Sequence, residues 1–590
     1  MQSASIVTAI VSPRIKMHLG KLTALFRLAK SSHKLKEGAM MRGWRCFWGF
    51  ILLVAVPATA DHRHDAPSTA TTTSVPLFEN LGTHHHPITT TLPQAQRYFD
   101  QGLRLVYAFN HDEAGRAFKE AARLDPNCAM AYWGLALTLG SNYNLPAIPE
   151  REQAAYEAIQ KALSLGSHAS ESERAYIEAL AKRHSLAPDA DRKALDNAYA
   201  DAMREVAKRY PDDLDAATLL AEAMMNLRPW GLWTVEGQPQ PGTLDIVSTL
   251  ESVLKRNPDH PGAIHYYIHT VEASPQPERA VPFADRLGAL VPGAGHLVHM
   301  PSHIYIRVGR YADAAESNVR AAAVDAVYIE KHNVRGIYQM MYYPHNIHFI
   351  WAAASIEGRS AEALRAAREL AAKLPPEMAR QMPEIEFFYP TPLFALARFG
   401  KWEEILQEPA PPADLQYTTG IWHYVRGLAL AATGRLEEAE NEHQKVTAIE
   451  AATAPERIVD VGVPVKALLH VASHALAGEI VARQGKTDDA IRLLEEAVRT
   501  QDGLPYSEPP PWYYPVRQSL GAVLLAAGRA AEAEAVYRED LKRNPENGWS
   551  LYGLAQSLQA RGAKEEAAAV EQQFQKAWAR ADVKLTASRF

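Results

Sequence analysis

Ile264-His265-Tyr266-Tyr267-Ile268-His269-Thr270-Val271-Glu272 is the stretch on which both the fold and the candidate site are read. Downstream stand His296-Leu297-Val298-His299-Met300-Pro301-Ser302-His303 and Tyr343-Pro344-His345-Asn346-Ile347-His348. His265 and His299 are 34 residues apart, and so are His269 and His303. That shift is the length of one helix–turn–helix unit in a stacked array. Two histidines recurring one unit apart occupy equivalent places on neighbouring helices.

The same phase appears in the packing residues outward from this stretch. Gly102, Ala114, Phe118, Ala121 and Pro126 place small residues where two helices approach, an aromatic between them and a proline that stops the second helix. Gly521, Ala533, Tyr537 and Pro545 repeat that spacing. Gly427 with Ala439, Gly478 with Ala490, Ala280 with Pro292 and Ala363 with Pro375 keep parts of it. Gly309 with Ala314 and Gly562 with Ala567 mark the turn and second helix of two more units. Alanine-rich segments with Leu, Glu and Arg dominate, and no alternating Val/Ile/Thr run stands out, so the chain reads as all-α. In this register it resembles a tetratricopeptide-repeat protein from about 95 to 575, and the resemblance implies a helix–turn–helix superhelix, an α-solenoid.

Between Asn142 and Asp259 the register is poor although helical segments continue over 151–165, 170–184, 191–210 and 214–227. They are interrupted by Arg228-Pro229-Trp230-Gly231-Leu232-Trp233, in a loop running to Gly242 whose tryptophans need a surface to pack on. Insertions of this kind mark a binding face or form a plain surface hairpin. Glu384–Pro390 and Pro509–Pro515 are aromatic stretches bounded or interrupted by proline and read as extended. The segments 292–303 and 342–348 also resemble a group of large exported bacterial repeat proteins, which carries no mechanism with it.

Met41-Arg42-Gly43-Trp44-Arg45, an apolar run from Phe47 to Val56 and Ala58-Thr59-Ala60 read as a secretory leader. The protein is therefore expected to be exported, periplasmic or secreted, with no stable membrane span after cleavage. The whole chain has 62 Lys+Arg against 68 Asp+Glu, which gives no basic footprint for nucleic acid. Cys46 leaves with the leader, so Cys128 stands alone and no internal disulfide is expected. The organisation is a leader over 1–60 and a flexible polar, histidine-containing tail over 61–90. Repeats with an insertion follow over 91–260, central histidine-rich units over 261–375 and C-terminal units over 376–590.

Within a tetratricopeptide repeat, the resemblance implies that the second, fifth, ninth and twelfth residues face the concave groove. Helical period keeps those positions on one stripe. Counted from Ala280, Ala314 and Ala363, three units place there His265, His269 and Glu272, then His296, His299 and His303, then His345 and His348. Seven of the chain's 23 histidines thus share twelve positions, where its composition alone gives fewer than one. Neighbouring helices lie roughly 8–10 Å apart, so imidazoles on adjacent helices can meet at one ion.

The metal set read from this is His265, His269, Glu272, His299 and His303. Imidazole with carboxylate suits Zn, Fe, Cu, Ni or Mn. Pro301 breaks a helical hydrogen bond between His299 and His303. His423, His470 and His474 fall off the groove and read as core or partner-facing residues.

Two readings follow. One is a binding scaffold whose groove takes a protein, peptide or small-molecule ligand and a transition metal. The other is a metal-dependent hydrolase or oxidoreductase, with Tyr266, Tyr305 and Arg307 lining the groove to position substrate. A long open groove favours the first, and a coordination site in a closed pocket favours the second. No G-x-S-x-G, P-loop, H-E-x-x-H or C-x-x-C occurs, so nucleophilic, nucleotide and zincin chemistries have no support.

Overall fold

Small residues decide how closely the helices meet, and the computed structural model, which describes residues 75–590, shows where. Pro93–Val106 pairs with His111–Leu124, and Ala129–Leu139 follows. Phe118 is fully buried among them. A Cβ placed on Gly102 would lie 2.6 Å from its ring, and one on Gly134 2.5 Å. Both helices can therefore rest on that ring only because neither position has a side chain. At the far end Gly521 and Gly553 meet Tyr537 in the same way, across Arg517–Ala526, Ala530–Arg543 and Gly548–Ala560.

Local chemistry starts the helices where the spacing expects them. Ser170 and Glu173 form a reciprocal cap at the head of Glu171–Ala181, and Asp213 accepts the Ala216 N–H at 3.1 Å to open Leu214–Met225. With Pro149–Ser164, Arg192–Arg209 and Thr243–Arg256, these fill the region where the register is weak. The loop between Leu214–Met225 and Thr243–Arg256 folds onto the next helix, Pro261–Val271. There the Trp233 indole N–H donates to the Thr270 carbonyl at 2.7 Å.

The apolar core falls into two large parts, one running from Leu81 to Ala353 and the other from Tyr343 to Ala567, and a small third of Ile306, Tyr311 and Phe349. Tyr343–Ile356 contributes to both. Remote segments close on the middle of the chain. Tyr328 donates to Glu113 at 3.1 Å, Tyr311 to the Pro545 carbonyl at 2.9 Å and Trp549 to the Ser355 carbonyl at 3.1 Å. Gly309 turns with φ +80°, and a Cβ there would also sit 2.6 Å from the Pro545 carbonyl oxygen. Among the described residues only Val465–Arg483 is long and apolar enough to cross a membrane, and 61% of its apolar window is buried in this protein.

Two expectations change. The segment 61–90 reads as a flexible tail, yet over 75–90 it lies against the repeats. Tyr98 donates to the Val75 carbonyl at 2.7 Å, the Gly293 N–H to the Asn80 carbonyl at 2.8 Å and Thr89 to Glu173 at 2.5 Å. Its polarity is matched by buried polar partners rather than by water. Residues 61–74, with His62 and His64, and the leader lie outside the described residues. Glu384–Pro390 is not extended throughout: Pro383–Phe388 is a 3₁₀ helix, whose Glu386 accepts the Thr418 N–H at 3.0 Å. Pro509–Pro515 has no regular structure, and its Tyr513 stacks on Phe394 at 4.5 Å.

Candidate metal centre

Three helical segments carry the central histidines. Pro261–Val271 holds His265 and His269, with Glu272 just past its end. The second segment is divided at Met300 into Gly295–His299 and Pro301–Arg307. Pro301 removes a donor there, and the His303 N–H reaches the Met300 carbonyl at 3.2 Å, a tighter turn. Tyr343–Ile356 brings His345 and His348. His265, His269, Glu272, His296, His299 and His303 are all at most 2% exposed. They form a closed interior cluster rather than the lining of an open groove.

Four of these rings are held in the same sense. His265 donates from Nδ1 to the Tyr107 carbonyl at 2.6 Å. His269 donates from Nδ1 to Glu272 Oε1 at 2.9 Å, and His303 from Nδ1 to Glu272 Oε2 at 2.5 Å. His299 donates from Nδ1 to Asn318 Oδ1 at 2.6 Å, and Asn318 Nδ2 donates to the Ala314 carbonyl, which fixes the amide's orientation. A neutral imidazole with its hydrogen on Nδ1 carries a lone pair on Nε2. His265 Nε2 lies 3.1 Å from His296 Nε2, and His299 Nε2 lies 2.6 Å from His303 Nε2. His269 Nε2 and His296 Nδ1 are buried without a hydrogen-bond partner.

Burial dominates the electrostatics. It pushes His265 down to about 3, and with neighbouring histidines it holds His269, His296, His299 and His345 well below the usual imidazole range. These rings are neutral at pH 7, the form that binds metals. Glu508 arrives from a remote loop and packs against Glu272, His303 and Tyr506. Burial, then the Glu508 charge, pushes Glu272 well up. Burial also works against a charge on Glu508, but its contacts with His303, Glu272 and Tyr506 together outweigh it and bring the carboxyl to about 2. Two touching buried carboxylates need a proton or a cation.

Phe109, Tyr143 and Trp230 close the cluster on one side. Their ring centroids lie 5.9, 5.2 and 5.8 Å from that of His269. Trp230 comes from the Arg228–Gly242 insertion, so that loop does cover this face. Tyr266 lies beside His265, with centroids 5.3 Å apart. Arg307 donates to the Glu272 carbonyl oxygen and lies 5.4 Å from the Tyr506 ring.

Other expected residues lie elsewhere. Tyr305 donates to Asp285 at 2.7 Å under the Arg310 guanidinium, away from the cluster, because two residues past His303 it lies on the other side of the same helix. His348 enters an aromatic box, 4.8 Å from Trp351 and 5.2 Å from Phe388, and belongs to none of the three-ligand groups of the centre. His423 and His470 bond Glu442 and Glu450, remote from the centre. Sequence spacing missed Glu508, Asn318 and the Tyr107 carbonyl. His345 closes one side of the His299–His303 pair and is partly exposed.

A second histidine cluster has the opposite polarity. Asp215 accepts from Tyr107 Oη at 2.5 Å, His84 Nε2 at 2.9 Å, His86 Nδ1 at 2.9 Å and His260 Nε2 at 3.2 Å. His260 Nδ1 accepts the Ala263 N–H, so its hydrogen sits on Nε2. Burial opposes a charge on Asp215, but the His260, His84 and His86 hydrogen bonds outweigh it and hold the carboxyl well below its usual range. N–H groups converge on a carboxylate here, whereas ring lone pairs converge in the centre. This second cluster ties the 75–90 segment to the repeats.

The Tetratricopeptide repeat family matches residues 99–145 and 519–582. No curated protein matches the chain. Among solved structures, a human IFIT1 dimer with m7Gppp-AAAA is 13% identical with a TM-score of 0.32, over 83% of this chain and 91% of that one. Yeast Tom70 is 12% identical with a TM-score of 0.26, over 82% and 91%. The P58(IPK) TPR domain is 15% identical with a TM-score of 0.22, over 82% and 99%. At such low scores nothing about ligand or partner transfers from those proteins. The two segments matched to that family share one packing rule, small residues on a buried ring between helices, and over them the chain is similar to tetratricopeptide-repeat proteins.

Proposed function

We propose that the protein is an exported repeat scaffold that holds a transition metal in its central histidine cluster. The observation that carries this reading is the shared orientation of His265, His269, His299 and His303. Each gives its Nδ1 hydrogen to a fixed acceptor and keeps Nε2 for the interior. Metal-binding histidines are oriented in this way by carboxylate and carbonyl partners. The Glu508 carboxylate buried against Glu272 supports a cation at the same place. Zn, Fe, Cu, Ni and Mn all accept such ligands. The repeat surface is the part offered to a protein or peptide, the usual use of stacked helical repeats.

The metal-dependent hydrolase or oxidoreductase is the second reading. It is favoured by the closure of the centre behind Tyr143 and Trp230, since an enclosed site excludes water and strengthens electrostatic effects. In that reading Arg307 and Tyr506 stand nearest the carboxylates, ready to position a substrate.

The test is element analysis by mass spectrometry on the untagged exported protein, purified without chelator. Bound transition metal is expected, with content lowered in His269→Ala and His303→Ala and unchanged in His474→Ala. Parental metal content and affinity in both single variants at neutral pH would overturn the proposal. Hydrolysis or oxidation that appears with metal and vanishes with chelator would favour the enzyme.

A further inference from the structure

We infer that the centre is two adjacent three-histidine metal sites, for two borderline transition-metal ions per chain. One site is His265, His269 and His296; the other is His299, His303 and His345. This rests on the metal reading above and deepens it. In each trio the candidate ligand atoms all lie within 4.8 Å of one another. These two trios share no residue, and a third close group, His269, Glu272 and His303, bridges them.

Their spacing fits ligation. A tetrahedral ion with Zn–N bonds of about 2.0–2.1 Å sets its nitrogens roughly 3.3 Å apart. His265 Nε2 and His296 Nε2 are 3.1 Å apart. His299 Nε2 and His303 Nε2, at 2.6 Å, are closer than two bare lone pairs tolerate, so a shared proton or a cation belongs between them. A cation relaxes that pair outward by a few tenths of an ångström. In the first trio His269 Nε2 is a buried nitrogen with no hydrogen-bond partner.

Glu272 is the reason for two sites rather than one. Its Oε1 takes the His269 hydrogen and its Oε2 the His303 hydrogen, so one carboxylate orients one ligand of each trio. It is thereby a positioning residue between the sites rather than a ligand of either. Glu508, on the His303 side, supplies a second negative charge. Two divalent ions in a buried pocket need such counter-charges. The trios differ in access: His265, His269 and His296 are buried, whereas His345 is partly exposed.

Titration of metal-free full-length mature protein with Zn²⁺ alone, read by calorimetry and by bound zinc after gel filtration, tests this. Two equivalents are expected for the parent, and one each for His296→Gln and His345→Gln. None is expected for the double variant. Co²⁺ absorption is expected to show two separable band sets, one lost in each single variant. Circular dichroism confirms that each variant is folded. His345→Gln, at a partly exposed position, keeps the test valid if His296→Gln does not fold. A parental stoichiometry of one overturns the two-site inference and leaves the metal reading standing. A stoichiometry of zero overturns both.

Discussion

His269 and His303 are bound to opposite oxygens of one carboxylate, that of Glu272, at 2.9 and 2.5 Å. A glutamine there keeps one acceptor and turns the other position into a donor. One imidazole then loses its orienting partner. Glu272→Gln is expected to weaken metal binding about 10–100-fold, the usual cost of removing an orienting partner. The number of ions at saturation should stay the same. Loss of an equivalent would instead make Glu272 a ligand.

Phe118 and its glycines give a stability prediction. Phe118→Ala removes a fully buried ring and should cost about 3–5 kcal/mol. Gly134→Ala puts a methyl 2.5 Å from that ring and should cost about 1–3 kcal/mol. In the Phe118→Ala background the second change should cost much less, because the space it needs has been opened. Denaturant unfolding of the four proteins measures this, and strictly additive losses would count against the packing described.

The histidine pairs show how much of the site was legible beforehand. Spacing alone put His265, His269, His299 and His303 in phase, because neighbouring repeats stack at a fixed period. It also supplied Glu272, the Nδ1 partner of His269 and His303, but not the Tyr107 carbonyl, Asn318 or Glu508. Tyr107 is 158 residues from His265, and Glu508 is 205 from His303. Such partners depend on how the array closes, which no local period encodes. Spacing also placed His348 in the groove, and Tyr305 was read as lining it to position substrate. Tyr305, on the other side of its helix from His303, reaches Asp285 instead, and Phe388 with Trp351 holds His348 in an aromatic box. In the 75–90 segment polarity was misleading, since the buried Asp215 that receives His84 and His86 lies far along the sequence.

Asp325 predicts a pH effect. Burial pushes its carboxyl up to about 7, against the hydrogen bonds from Tyr338 and Asn346. The folded protein therefore holds a proton that the unfolded chain releases near pH 4. Its contribution is full below that pH and is lost as pH rises through about 7, by roughly 4 kcal/mol at most. The buried neutral histidines contribute a slope of opposite sign, so the comparison is with Asp325→Asn. The variant should gain stability relative to the parent between pH 4 and 7. A difference independent of pH would show that Asp325 keeps an ordinary carboxyl.

Asp215 predicts a local effect. Asp215→Ala leaves Tyr107, His84, His86 and His260 without their common acceptor. Hydrogen exchange over 84–88 should accelerate strongly, while exchange in Ala530–Arg543 stays unchanged. Uniform acceleration would mean that the whole fold, not this segment, depends on Asp215.

The proposed leader over residues 1–60 predicts a processing site. N-terminal sequencing of the exported form should begin at Asp61, after Ala58-Thr59-Ala60. A mature chain beginning before Phe47 would refute cleavage there.

The late arrival of Glu508 sets an order of events during synthesis. His265, His269, His299 and His303 leave the ribosome long before Glu508, and the 75–90 segment, made earliest among the described residues, must wait for Gly293 and Leu290 to give it a resting place. A truncated chain ending before the loop of Glu508 would present the histidines without their second buried negative charge. Full charge compensation at the centre is thus reserved for a chain that has been made through that loop.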